Sequence, residues 1–225
     1  MDVYQAVDQR ASVRGFTDRE VDHAVIERVM RAASRAPSGG NLQPWKMYVL
    51  TGEPLATVKE RVGQRVAGRD APDLPEYPIY PAGLSSPYRD RRYACGEQLY
   101  AALNIPREDK GGRLRQFAHN FDFFGAPVGA FCYIDRQMGS PQWADVGMYL
   151  QTVMLLLEAE GLSSCSQEAW SVYHRTVADV VAPSDELMLF CGMAIGYRDP
   201  DHPANNMRME RAPLEETVTF LGWNG

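Results

Sequence analysis

The sequence Ala-Pro-Ser-Gly-Gly-Asn-Leu-Gln-Pro-Trp, residues 36–45, is the most distinctive stretch of this 225-residue chain. Two prolines and two glycines within ten residues exclude the interior of a helix or a strand, so a loop is predicted here. The glycines let backbone N–H groups approach a ligand closely, and Ser38, Asn41 and Gln43 offer donors and acceptors for a polar ring edge. An ordinary surface loop accounts for the composition equally well.

The elements on either side of this loop indicate the fold class. Apolar residues at helical spacing predict a helix over 22–34, and alternation predicts a strand over 46–51. Further helices are predicted at 3–7, 55–66, 89–103, 107–119, 142–160 and 171–181, and buried strands at 129–134 and 187–195. Helices grouped around a few strands are typical of the α+β class.

Residues 68–95 differ in character from the rest of the chain. Five prolines punctuate the segment, with tyrosines between them. The apolar pattern of one core resumes afterwards, so we expect a single domain over 1–225 with an insertion or lid at 68–95.

Composition excludes several classes of protein. The apolar fraction of 45% and the charged fraction of 23% are typical of a globular chain, and the net charge of −6 argues against a nucleic-acid partner. No apolar run reaches the roughly 20 residues that a membrane span needs. The four cysteines lack metal-site spacing, and the first ten residues lack the apolar centre of a secretory signal. A cytoplasmic protein with reduced thiols and no metal is therefore expected.

Two groups of cationic residues are candidates for anion binding. Arg10, Ser12 and Arg14 place two guanidiniums and a hydroxyl within five residues, which suits a phosphate. Arg208 and Arg211 follow the last predicted strand and add further donors. Each group is open to a plainer interpretation as a solvated charged surface.

The segment Ser-Cys-Ser-Gln-Glu-Ala-Trp, residues 164–170, could present backbone N–H groups at a helix start, or serve as a plain connector. No G-x-S-x-G elbow is present, and the four histidines have no metal spacing. Cys165 could act as a nucleophile but has no catalytic-cysteine signature around it. A protein that binds a flavin needs no such motif, because the cofactor carries its own reactive atoms.

In their order and spacing, these segments resemble the FMN-dependent nitroreductase family. The resemblance extends from residue 10 to residue 211 and includes the Gly161-Leu162 turn and the stretch 192–197. It implies a three-layer α+β fold whose mostly antiparallel central sheet is flanked by helices. It also implies a homodimer that holds FMN non-covalently at the subunit interface, with no catalytic side chain.

The resemblance also assigns site residues. It implies a phosphate site of Arg10, Ser12, Arg14, Arg208 and Arg211, partner-subunit contacts from Pro37, Ser38, Gly39, Asn41 and Gln142, and a backbone donor near the reactive flavin nitrogen at Gln167 and Glu168. Phe123, Phe124 and Tyr88 are expected to line a pocket for an aromatic electron acceptor.

The implied reaction takes electrons from NADH or NADPH and passes them, in two-electron ping-pong steps, to nitroaromatic compounds, giving hydroxylamines. Residues 87–92 and 167–170 look most similar to the branch that reduces nitrobenzenes. Reductive dehalogenation, quinone or enone reduction and flavin degradation are alternatives on the same fold. A non-catalytic flavin- or anion-binding protein is a more remote one.

Overall fold

The computed structural model describes residues 1–223 and has a four-stranded sheet between two layers of helices. The strands are β1 Trp45–Leu50, β2 Val128–Asp135, β3 Ser163–Gln167 and β4 Leu187–Gly196, in the spatial order β1-β2-β4-β3. All three pairings are antiparallel. The α-helices of the described residues are α1 Val3–Gln9, α2 His23–Ala33, α3 Gly52–Gly68, α4 Tyr88–Ala102, α5 Lys110–Ala118, α6 Ser140–Ala159, α7 His174–Val181 and α8 Leu214–Thr217. The predicted α+β class and antiparallel sheet are confirmed.

The sheet separates two apolar clusters. On one face α2 and α6 pack against inward residues of β2 and β4, among them Met193 and Ile195. On the other face α3 and α7 cover residues such as Leu189 and Ala194. Successive residues of β4 therefore enter opposite clusters, as strand geometry requires, and the predicted buried strand lies inside the sheet. Among residues 1–223, no helix is both long enough and apolar enough to cross a membrane.

Helix α6 is the longest element and links the parts of the candidate site. Its apolar side, including Val146, Leu150 and Val153, is buried against the sheet. The helix ends where Gly161 adopts a positive φ of 75°, a conformation that glycine takes at little cost. The predicted helix over 142–160 and its glycine stop are both present.

Strand β3 was not among the predicted strands. Its sequence, Ser-Ser-Cys-Ser-Gln, has no β-branched or aromatic residue, so neither propensity nor alternation marks it as a strand. It forms because β4 offers a free edge with which Ser163–Gln167 pairs in register. The interpretation of residues 164–170 as a plain connector is therefore wrong for the first part of the segment.

The first part of the proline-rich segment, residues 68–95, is attached to the core, and the second part is exposed. Asp73 accepts hydrogen bonds from Arg65 Nη1 and the Arg175 backbone N–H, both at 3.0 Å. Tyr77 is buried, and its ring contacts Phe190 and Trp143. Helix α4, by contrast, has no buried residue. The segment is thus anchored to the core at its start, and it leads into a helix that lies on the surface.

Candidate functional site

The loop that carries Arg10, Ser12 and Arg14 runs along the free edge of β3. Ser12 forms a parallel bridge with Ser164, and the Val13 N–H donates to the Ser164 carbonyl at 3.1 Å. The Val13 side chain is buried in the core and anchors the loop, whereas Ser12 stays exposed. The sequence-predicted anion-binding triplet is therefore supported by strand pairing and lies on the surface.

Asn205 fixes the same loop from the other side. Its Oδ1 accepts the Arg14 N–H at 2.8 Å, and its Nδ2 donates to the carbonyls of Gly15 and Asp199, each at 2.8 Å. The side chain is 2% exposed, so every one of these bonds is shielded from water. Asn205 therefore has a structural role, because it holds this loop in place. The sequence had predicted only hydrogen-bond donors for an anion in the tail around it.

The guanidiniums of this corner form one hydrogen bond within the described residues, from Arg14 Nη1 to the Ser12 carbonyl at 3.2 Å. Among residues 1–223, neither Arg10 nor Arg14 forms an ion pair with a carboxylate, although nine other arginines do. The buried Oγ of Ser164 also has no hydrogen-bond partner in this part of the chain. Two guanidiniums without a carboxylate partner, beside the hydroxyls of Ser12 and Ser164, match the needs of a phosphate dianion.

Cys165 lies in this corner but is not suited to nucleophilic chemistry. The thiol is buried, and burial raises its pKa to about 11 despite the nearby positive charges of Arg14 and Arg10. It is therefore protonated at neutral pH, and a protonated thiol is a poor nucleophile. Burial and the raised pKa of this thiol therefore argue against the hypothesis of a catalytic cysteine at this position.

The glycine-rich loop, residues 36–45, is held by α6. The Gly39 N–H donates to Oδ2 of Asp145 at 3.2 Å, and Asp145 is 6% exposed. Within the loop, the Gln43 N–H donates to Ser38 Oγ at 3.0 Å. Pro37, Gly39 and Asn41 remain exposed. The predicted loop is confirmed, and its outer surface is available to a ligand.

The two motifs contact different parts of α6. The glycine-rich loop meets the helix at Asp145, whereas β3, beside the arginine loop, meets it at Met154 through Ser166. A rise of 1.5 Å per residue puts these two points about 14 Å apart along the helix axis. Within one protomer the motifs therefore do not surround a common point.

The end of β3 turns abruptly into a 3-10 helix, Glu168–Tyr173. The first N–H groups of such a helix, here those of Glu168 and Ala169, have no acceptor within the helix. Trp170 follows and is fully buried against Gly192 of β4. The turn is therefore anchored in the core at Trp170. At its start, the backbone N–H groups of Glu168 and Ala169 lie beside the exposed Glu168 side chain and can donate to a ligand.

Gln167 points away from this open end. Its Nε2 donates to the Asn120 carbonyl at 2.8 Å and to Asn120 Oδ1 at 3.3 Å, and the side chain is 2% exposed. Strand alternation explains this orientation, because Gln167 and Cys165 face the α3 and α7 layer. The Gln167 side chain is therefore not available to a cofactor, and any such contact would come from the Gln167 backbone.

The phenylalanines that were expected to line an acceptor pocket lie in the core. Phe123 is fully buried and stacks on Trp170 at a centroid distance of 4.5 Å, and Phe124 is 7% exposed. Both have positive φ angles, 56° and 54°, and both belong to the apolar cluster that α3 and α7 cover. The prediction for Phe123 and Phe124 is thus at odds with the structure, since buried rings offer no surface to a ligand. Tyr88, at the start of α4, is 63% exposed and remains accessible.

Three other predicted ligands already have partners. Arg208 forms an ion pair with Asp8 at the end of α1, and Arg211 donates to the carbonyls of Met209 and Glu210 at 3.0 Å. Gln142 caps the start of α6 by accepting the Gly139 N–H at 3.2 Å. Arg208 therefore reaches the neighbourhood of Arg10, but its charge is compensated there.

Sequence reasoning missed Asp145 and Asn120, which hold the glycine-rich loop and Gln167 respectively. Asp145 could have been identified from the sequence, because it places a carboxylate on the otherwise apolar inner side of α6. A buried carboxylate there needs a donor, and a glycine-rich loop is rich in backbone N–H groups. No sequence pattern identifies Asn120 in the same way.

Two cavities lie away from these segments. One of about 230 Å³ is lined by Glu76, Tyr133 and His174 at the far end of β4, and one of about 330 Å³ lies at Met138 and Trp143. Neither borders the arginine loop or the glycine-rich loop.

The chain is similar to known proteins over most of its length. The sequence model of the Nitroreductase family matches residues 7–197. The chain is 38% identical over 218 residues to a nitrobenzene nitroreductase of Ectopseudomonas oleovorans, covering 95% of this chain and 94% of the relative. It is 35% identical over 218 residues to a 4-nitrobenzoate reductase of Pseudomonas putida, covering 97% and 95%.

The fold is also similar to a solved structure. The FMN and NADPH-dependent nitroreductase NfnB of Sphigopyxis sp. strain HMH superposes with a TM-score of 0.95 at 47% sequence identity. The superposition covers 99% of this chain and all of that one. Both the sequence match and the fold match therefore extend over nearly the whole chain.

Proposed function

The chain belongs to the nitroreductase family, and from this premise we propose that it is an FMN-dependent enzyme that takes electrons from NAD(P)H and reduces nitroaromatic compounds. The observation that carries the proposal is that Arg10 and Arg14, on either side of the exposed Ser12, have no carboxylate partner among residues 1–223. FMN supplies the redox chemistry when bound, and the protein supplies binding, orientation and electrostatics.

The donor set at the edge of β3 fits the phosphate of FMN. Arg10 and Arg14 provide charge and paired N–H groups, and Ser12 adds a hydroxyl. Asn205 keeps the Arg14 backbone in place, so the loop that carries these donors is fixed before a ligand arrives. Pre-positioned donors bind more tightly because less side-chain freedom is lost on binding.

The turn after β3 would hold the ring end of the cofactor. The free N–H groups of Glu168 and Ala169 can donate to a ring nitrogen, and such a fixed donor favours the electron-rich form of the ring. Trp170 keeps this turn rigid, because its ring is buried against Gly192. We assign orientation of the cofactor ring to this backbone and not to the Gln167 side chain.

The remaining contacts are proposed to come from a second subunit. The glycine-rich loop sits at the opposite half of α6 from β3, so a two-fold axis that pairs two α6 helices antiparallel would bring the partner's loop to the arginine corner. Apolar side chains on α1 and α6 are exposed for such pairing, with Val3 at 68%, Tyr4 at 86% and Met148 at 41%. Exposed apolar patches of this kind mark interfaces.

In this dimer Ser38, Gly39 and Asn41 would contact the ribityl chain and ring from the partner side. Asp145 would act indirectly by holding the Gly39 N–H. Arg211 and Gln142 remain proposed contacts, although both have other partners in a single protomer. Tyr88 is proposed as a wall of the acceptor pocket, since its ring is available at the surface.

An anaerobic visible spectrum tests this function. We expect the purified protein with FMN to show flavin absorption that bleaches on addition of NADPH or NADH and returns on addition of nitrobenzene. Free FMN at the same concentration is the control for background reduction. Bleaching that nitrobenzene fails to reverse would rule out nitroaromatic reduction, and failure of either donor to bleach would rule out the NAD(P)H-dependent enzyme.

A further inference from the structure

The cavity of about 230 Å³ at the far end of β4 is lined by both the sheet and α7. Leu187 and Leu189 of β4 and Tyr133 of β2 form its inner side, and Ala178 and Pro183 add apolar wall. This volume is far more than a single water molecule needs. The cavity can therefore accept a small organic molecule at a point remote from the arginine loop.

The buried hydroxyl of Tyr133 has no partner in the protein. Tyr133 is 2% exposed, and its oxygen forms no hydrogen bond with any described residue. Burial raises the pKa of Tyr133, with smaller contributions from Tyr48 and from Glu76, which lines the same cavity. The group therefore remains a neutral hydroxyl that can both donate and accept a hydrogen bond. A buried hydroxyl of this kind calls for a ligand or a solvent molecule in the cavity.

The positive groups beside the cavity are already engaged. Arg136 Nη1 lies 2.5 Å from Glu76 Oε1, and Arg136 Nε donates to the Asp185 carbonyl at 2.9 Å. His174 Nε2 donates to the Leu74 carbonyl at 3.2 Å, and its Nδ1 lies 3.6 Å from Glu76 Oε2. Since both cationic side chains have partners, the cavity offers little to an anion.

The negative groups beside the cavity are not engaged in the same way. Asp179 and Asp185 line it with exposed side chains, and neither forms an ion pair among residues 1–223. Asp179 also belongs to the last turn of α7, which has no basic residue. The final carbonyls of a helix carry partial negative charge and have no donor within the helix. Two carboxylates and a helix C-terminus at one cavity favour a cation.

An organic ammonium group suits this cavity better than a metal ion does. Within residues 1–223, no group of three or more His, Cys, Asp or Glu side chains could hold a metal ion. The inner side is also largely apolar, and a bare ion would leave Leu187 and Leu189 without a contact. An ammonium group on an apolar body satisfies both the carboxylates and the leucines.

We propose that this cavity binds a small amino alcohol with an apolar body. Its ammonium group donates to the carboxylates of Asp179 and Asp185 at the exposed side. Its carbon body lies along Leu187 and Leu189, and its hydroxyl forms a hydrogen bond with the buried Tyr133 hydroxyl. This site is separate from the FMN site and does not depend on the proposed reaction.

Calorimetric titration of the FMN-loaded protein with three matched compounds tests the site. The compound trans-4-aminocyclohexanol carries both polar groups, cyclohexylamine lacks the hydroxyl, and trans-1,4-cyclohexanediol lacks the charge. We expect the amino alcohol to bind about 10-fold more tightly than the diol, since the charge–carboxylate contacts are partly exposed. It should bind about 3- to 10-fold more tightly than cyclohexylamine, which cannot bond to Tyr133.

Two variants assign these preferences to residues. Asp179→Asn/Asp185→Asn should abolish the preference over the diol, and Tyr133→Phe should abolish the preference over cyclohexylamine. Neither should lower the melting temperature of the ligand-free protein, because no ion pair and no hydrogen bond to the hydroxyl is lost. Asp18→Asn/Glu53→Gln is the matched control, since it removes the same charge at exposed positions outside the cavity.

Equal binding of the three compounds by the wild-type protein would mean that the cavity holds solvent only, and would overturn the inference. Preferences that survive in both variants would overturn it as well, because the compounds would then bind elsewhere. Neither result involves electron transfer, so the site can fail while nitrobenzene reduction continues, and the proposed function can fail while the site binds its ligand.

Discussion

Replacement of Arg10 and Arg14 together by alanine is expected to weaken FMN binding by about 10²- to 10⁴-fold, because each guanidinium contributes a charged hydrogen bond to the phosphate. The two side chains have no carboxylate partner among residues 1–223, so their removal breaks no ion pair of the protein. The dissociation constant is measured by the quenching of FMN fluorescence on titration with apoprotein.

Arg31→Ala is the matched control, since Arg31 is exposed and pairs only with Glu27 on the same helix. Such exposed pairs contribute little to stability, so this variant should bind FMN as the wild type does. The double variant should also keep the wild-type melting temperature of the apoprotein. Unchanged FMN affinity in the double variant would mean that the phosphate is bound elsewhere.

Gly192→Val is expected to lower the free energy of unfolding by about 3 kcal/mol, at the upper end of the range for overpacked cores. A Cβ at residue 192 would overlap Cδ1 of Trp170 and lie 2.9 Å from its Nε1. Trp170 is fully buried between Phe123 and Phe131 and has no space to move. The corresponding drop in melting temperature is about 6–12 °C for a chain of this length.

Gly63→Val is the control, because a Cβ at Gly63 meets nothing within 4 Å and the residue lies on the exposed side of α3. Valine is a slightly better helix former than glycine, so the melting temperature should stay level or rise. Thermal unfolding followed by circular dichroism compares the two variants. A Gly192→Val protein as stable as the wild type would contradict the role of Trp170 as the rigid support of the turn after β3.

Much of the architecture was predictable from local pattern. Composition predicts the glycine-rich loop. An apolar face followed by a glycine predicts α6, and an uninterrupted apolar run predicts β4. Strand β3 was not predictable, because five small and polar residues become a strand only when β4 supplies the edge. Long-range pairing of this kind leaves no periodicity in the sequence.

Site residues were predictable by type but not by direction. The arginine loop lies at the surface beside β3, yet the Gln167 side chain turns into the core and the ring of Phe123 is buried. A motif gives the order of residues along the chain, whereas the face on which a side chain emerges depends on strand alternation and backbone conformation. The same limit applies to Arg208, whose partner Asp8 is 200 residues distant in sequence.

Mixed dimers test most directly the central claim that each FMN site is built from the arginine loop of one subunit and the glycine-rich loop of the other. Two variants are combined, one with Arg10→Ala/Arg14→Ala and one with Ser38→Ala/Asn41→Ala, each weak in FMN binding by itself. In a mixed dimer one site has both mutated loops and the other has neither, so random re-association should restore about one tight FMN site in four. Fluorescence titration of the re-associated mixture that recovers this fraction would agree with the account; a mixture that binds no better than its separate components would contradict it.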